Sequence, residues 1–213
     1  MKWLIPLLAL VALRASAETT IGPAIGAVPY TITKSGVYHL AKNLAFEGST
    51  GAAITINAAQ VEIDMNGYEI ECLSGSANTA TGITTTGYNR VAIKNGTILG
   101  FHTGLSLVSN GATVSGLILT TNHVAGITVL GNNIQITKNR VFATGGAPDS
   151  SLHSTGISVT GTDCSISDND VQTTSVPDVA SHTAEGIKLT SCANIYLANN
   201  RVLDTRPAVA VNA

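Results

Sequence analysis

"GITVLGNNIQITKNRV" occupies positions 126–141, and its reading decides the fold. Ile127 and Val129 alternate with Thr128 and Leu130. Gly131-Asn132-Asn133 then makes a break, and Ile134 and Ile136 alternate with Gln135 and Thr137. Alternation of period two is the mark of a strand with one inward side. Asn139 and Val141 follow, which is room for a bend and a third short strand. Three strands this short cannot bury their apolar sides alone, so the stretch needs copies of itself to stack on.

The copies are present. Gly-Ile or Gly-Leu recurs at Gly82-Ile83, Gly104-Leu105, Gly126-Ile127, Gly156-Ile157 and Gly186-Ile187, at spacings of 22, 22, 30 and 30 residues. Each opens an alternating run: "GITTT", "GLSLV", "GITVL", "GISVT" and "GIKLT". A second strand repeats in "VEIDMNG", "VAIKNG", "ATVSG", "IQITKN", "CSISDN" and "IYLANN". Its apolar columns are Val61, Val91, Ala112, Ile134, Cys164, Ile195 and then Ile63, Ile93, Val114, Ile136, Ile166, Leu197. A third short strand is expected around Ile98, Leu117, Val141, Val171 and Val202. Columns of like apolar residues, one rung above another, define an all-β solenoid with a continuous core. Asn66, Asn95, Asn139, Asn169 and Asn200, with Gly116 on one rung, are read as a single asparagine ladder at the bend after the second strand. Ladder membership argues against use of the glycosylation sequon Asn95-Gly-Thr97.

Composition agrees. Only 11% of the 213 residues are charged, against about 25% in ordinary domains, and Thr, Ser, Asn, Gly, Val and Ile are abundant. A net charge of −2 without a Lys/Arg run excludes a nucleic-acid footprint. Residues 1–17 carry Lys2, the apolar run "LIPLLALVAL" and a terminal "ASA", which together read as a secretory signal peptide. No later segment is apolar for long enough to span a bilayer, so no membrane insertion is expected after cleavage. The remainder, 18–213, is expected to be a single exported domain, with 18–50 an N-terminal cap region and the last rung incomplete. "RPAVAVNA" (206–213) resembles the first strand of one more rung without a cap. An uncovered solenoid end leaves unpaired strand edges, so the expectation is end-to-end self-association, or a sequence that is a truncated form of a longer protein. Of the three cysteines, Cys164 falls in an inward column and is read as a core thiol. Cys72 lies several rungs from the other two. A Cys164–Cys192 bridge would need an inward and a turn position to meet and is not expected.

With these residues in place, "YTITKSGVYHLAKNLAFEGSTGAAITINAAQVEIDMNGYEI" and the recurring Gly-Ile…Asn…Asn-x-Val pattern resemble the right-handed parallel β-helix proteins of the pectin-lyase-like superfamily. The resemblance covers nearly the whole chain after residue 17. It implies a right-handed single-stranded parallel β-helix of about seven rungs, with polysaccharide, acidic or neutral, lying along one parallel sheet and its flanking loops. In the resembled enzymes the chemistry uses a carboxylate pair, or Ca²⁺ with a base beside a uronate. The fold hosts many functions, so activity must be argued from the site.

The sheet after the Gly-Ile starts is expected to expose Thr84, Ser106, Thr128, Ser158 and Lys188, then Thr86, Val108, Leu130, Thr160 and Thr190. It offers no carboxylate pair. Its Thr/Ser content would also suit the ordering of water or ice, although no Thr-x-Thr pair repeats regularly. One edge is richer in chemistry. His102, His123, His153 and His182 precede their strand-start glycines by two to four residues. Pro148-Asp149…His153 and Pro177-Asp178…His182 repeat at an offset of 29. Imidazole with carboxylate is ordinary metal-ligand chemistry, so Asp149, His153, Asp178 and His182 could hold a divalent cation, Ca²⁺ or a transition metal. The same corner could bind a sugar through Asp149, His153, Asp178 and His123, with Glu185, Lys188 and His182 in catalytic acid–base roles. The bland alternative is a loop copied with its scaffold, Pro-Asp starting a turn and the histidines solvated. Asp168 and Asp170, and the run Glu62, Asp64, Glu69, Glu71, read as solvated outward residues. The functional expectation is polysaccharide binding or processing by a lyase or hydrolase, and the rival is a non-catalytic structural or adhesive solenoid.

Overall fold

Strands with one apolar side per rung satisfy both their backbone and their core by stacking in parallel. The computed structural model describes residues 22–146, 153–176 and 183–207. Rung one comprises Tyr30–Ile32, Gly36–Leu40 and Leu44–Phe46, with Ala24–Ile25 laid across Gly36–Leu40. Rung two is Ala52–Ile56, Val61–Asp64 and Glu69–Cys72. Rung three is Thr81–Thr86 and the bent strand Val91–Leu99, and rung four is Thr103–Val108 and Thr113–Thr120. Rung five is Ala125–Leu130, Gln135–Thr137 and Arg140–Gly145. Rung six is Ser154–Ser167 and Asp170–Val176. Rung seven is Ala184–Ala198, Arg201–Leu203 and Arg206–Pro207. Every strand pairing is parallel. The protein is therefore an all-β parallel solenoid, with seven rungs and three sheets among the described residues.

The first sheet stacks Ile83, Leu105, Ile127, Ile157 and Ile187 in register. The two apolar columns of the second sheet stack as their alternation predicts. From Ile83 to Ile166 these inward residues are almost wholly buried, each worth about 1.5–3 kcal/mol. The glycine before each Ile or Leu has a steric cause. A Cβ on Gly104 would lie 2.8 Å from the Gly126 carbonyl, and one on Gly126 would lie 2.6 Å from that of Gly156. The rungs meet too closely there for any side chain.

Two expectations need correction. In the third sheet Leu119, not Leu117, stacks between Ile98 and Val141. The asparagine ladder is two columns, not one. Asn66 and Asn95 sit at the exposed bend with φ of 51° and 59°, in line with Gly116, Lys138, Asp168 and Asn199. Asn139, Asn169 and Asn200 lie one residue past that bend. Asn139 Nδ2 donates to Asn169 Oδ1 at 3.0 Å, and Asn169 Nδ2 donates to Asn200 Oδ1 at 2.9 Å. Met65 and Leu117 fill the interior at this corner in rungs two and four. Asparagine suits both positions for different reasons, tolerance of the left-handed region at one and amide pairing at the other.

Candidate functional site

The outward face of the first sheet is set by register. One column runs Thr55, Thr84, Ser106, Thr128, Ser158, Lys188. Beside it run Thr86, Val108, Leu130, Thr160 and Thr190. The third column is Ala52, Thr81, Thr103, Ala125, Thr155 and Glu185. Adjacent members are one rung apart, about 4.8 Å. Val108 and Leu130 are 39% and 46% exposed, apolar surface flanking a row of hydroxyls. Asn95 through Thr137 contains no Asp, Glu, Lys or Arg, so the middle of the face carries no formal charge.

Charge enters only in rung seven of these columns. Lys188 Nζ lies 2.8 Å from Glu185 Oε2, both side chains being about one-third exposed or slightly more. The contact is electrostatic: Glu185 Oε2 is shielded from water, yet its approach to Nζ lacks hydrogen-bond geometry. The structure thus unites Glu185 and Lys188, but as partners of each other. Glycosidic cleavage by paired carboxylates needs a second one within about 5–10 Å, and these three columns supply only Glu185.

The histidine corner is built by asparagines that the sequence reading did not single out. Asn78 and Asn122, both buried, face inward where the third sheet turns into the first. Asn78 Oδ1 accepts from Ala80 N and His102 N at 3.0 Å each, and Asn122 Oδ1 accepts from Phe101 N at 3.2 Å. Their amides donate to the carbonyls of Gly100 at 3.0 Å and Ile98 at 3.2 Å. The corner then continues as Thr144, Thr174 and Thr205, whose hydroxyls are buried without hydrogen-bond partners. A third ladder at the exit of the first sheet joins Asn89, Asn110, Asn132 and Thr162 through backbone N–H to Oδ1 bonds of 2.8–3.0 Å. Each of these asparagines follows the first strand or precedes the next by a fixed interval, a signal visible only once the register is known.

These bonds fix where the imidazoles go. His102 and His123 lie on consecutive rungs and feel each other electrostatically. Burial lowers the pKa of His102, and burial is also the main cause of the lowered value of His123, opposed by hydrogen bonds to the carbonyls of Gly100 and Gly145. Both are neutral at pH 7. His153 Nδ1 accepts from Thr183 N at 2.9 Å, with the Thr183 hydroxyl 3.0 Å away. Asp149, Asp178 and His182, three of the four expected metal ligands, lie outside the described residues. Among the described residues no group of three His, Cys, Asp or Glu side chains could hold a metal ion. The thiols of Cys72, Cys164 and Cys192 are free, and burial raises the pKa of Cys164.

Fold and face together define a parallel β-solenoid with a long hydroxyl-bearing sheet that carries charge only in rung seven of its outward columns. No family model matches the chain, and no curated protein or solved structure matches it.

Proposed function

We propose that the protein is an exported β-helix of the pectin-lyase-like kind that binds a polysaccharide along the outward face of its first sheet. The observation that carries the reading is the register. Hydroxyls of Thr84, Ser106, Thr128 and Ser158 recur once per rung beside the exposed Val108 and Leu130. A hydroxyl both donates and accepts, as a sugar hydroxyl does, and the apolar column suits the C–H face of a pyranose ring. A repeating surface fits a repeating polymer. Because Glu185 is tied to Lys188, the proposal commits to binding rather than cleavage.

Affinity electrophoresis of the protein through gels containing a panel of soluble polysaccharides tests it. At least one polymer should retard the wild type. The neutral triple variant Thr84→Gln/Ser106→Gln/Thr128→Gln, which roughens the face without charging it, should run unretarded with an unchanged circular dichroism spectrum. Absence of retardation on every polymer, or equal retardation of the variant, would refute the reading.

A further inference from the structure

We infer that the polymer is a neutral polysaccharide and that this face discriminates against uronate-bearing chains. The inference rests on the binding reading above and names the ligand class of the same face. A polyuronate brings a carboxylate on each charged sugar, and each one pressed against protein loses water that only a cation or several donors can replace. Among the described residues the face offers only neutral hydroxyl donors, about one per rung in its central column, and no unpaired cation to offset that charge. Between Thr55 and Ser158 its central column is hydroxyl throughout, and the flanking columns add methyl and aliphatic groups. Its one ammonium, Lys188, is already neutralised by Glu185 at 2.8 Å. Of the imidazoles at its edge, those of His102 and His123 are pushed toward the neutral form by burial.

Three basic residues elsewhere are engaged on the other two sheets. Lys94 extends from the second sheet, 2.6 Å from Glu62 and 3.6 Å from Asp64. In the third sheet Arg201 bonds Asp170 at 3.2 Å, and Arg140 lies 4.8 Å above the Phe142 ring. These three basic residues belong to the other two sheets, away from a chain laid on the first. What remains, a row of hydroxyls beside Val108 and Leu130, is matched to neutral sugars.

The test compares mixed-linkage glucan, galactomannan and dextran with polygalacturonate and alginate, at low and high salt, with and without Ca²⁺. The expected result is retardation by at least one neutral polymer, insensitive to salt, and none by either uronate. Retardation by a uronate, alone or equally with a neutral polymer, overturns the inference while leaving polysaccharide binding intact. Silence on every polymer instead removes the underlying reading. The variant Thr128→Lys supplies the missing unpaired ammonium at mid-face and should gain uronate binding by roughly tenfold or more at low salt. A folded Thr128→Lys protein that still ignores uronates would show that something other than absent charge excludes them, and would overturn the argument.

Discussion

Asn169→Ala tests the split between the two asparagine columns. In the wild type, Asn169 Oδ1 accepts from Asn139 N and Asn139 Nδ2, both at 3.0 Å. Asn169 Nδ2 donates to the Ile136 carbonyl and to Asn200 Oδ1, both at 2.9 Å. Asn169 and Asn139 are 1% and 2% exposed, so water cannot replace what is deleted. Truncation strands the Asn139 N–H and one amide proton, and removes the side-chain donor to the Ile136 carbonyl. At about 1–3 kcal/mol for each of the two donors left unsatisfied, the loss should be roughly 2–6 kcal/mol. Asn95→Gly is the matched control. Asn95 is exposed with φ of 59°, a conformation that glycine adopts freely, and its amide gives up only two 3.3 Å contacts to Asp64. That change should cost well under about 1 kcal/mol. Urea titration followed by far-UV circular dichroism reads both. Equal losses, or a loss below about 1 kcal/mol for Asn169→Ala, would refute the two-column assignment.

The lowered pKa values of His102 and His123 mean that the unfolded chain takes up their protons first as pH falls. Their contribution to stability is complete above about pH 6.5 and is lost as pH drops through the lower folded values. Thermal melts across that window should show a decline that His102→Asn/His123→Gln flattens, and an undiminished decline in the double variant would refute the assignment. Among the described residues, Leu189, Leu197 and Val202 of rung seven are 38%, 52% and 42% exposed around a cavity of about 500 Å³. We therefore expect concentration-dependent self-association through this end, weakened by Leu197→Asp, and light scattering that shows a monomer at every concentration would argue against it.

The fold was legible because its cause is periodic. Gly82, Gly104, Gly126, Gly156 and Gly186 mark places where two rungs touch backbone to backbone, and the following Ile or Leu must point inward whatever the rest of the rung contains. Those letters carry geometry directly. The corners were less legible because asparagine does three jobs there under one letter. Asn95 takes a left-handed bend, Asn169 pairs amides in the interior, and Asn110 holds an exposed turn. A slip of two residues, as at Leu117 against Leu119, moves a side chain between jobs without disturbing the apolar pattern. For the site, the eye goes to charged and titratable residues such as Glu185, Lys188 and His153. The face turns out to be defined by their scarcity, and absence of charge over many residues is a signal that no short motif records.

The stacking direction also gives the molecule a mechanical grain. The hydrogen bonds between rungs run along the long axis, so tension applied at the two termini loads them one rung at a time rather than all together. Rung seven, held from one side only among the described residues, should peel first. Each detached turn of about 22–30 residues would release roughly 7–11 nm of extended chain. Pulled sideways, along the strands, the same bonds would share the load in shear. A protein laid flat on a polymer by its first sheet would be stressed in that stronger direction, whereas one tethered by its ends would unwind like thread from a spool.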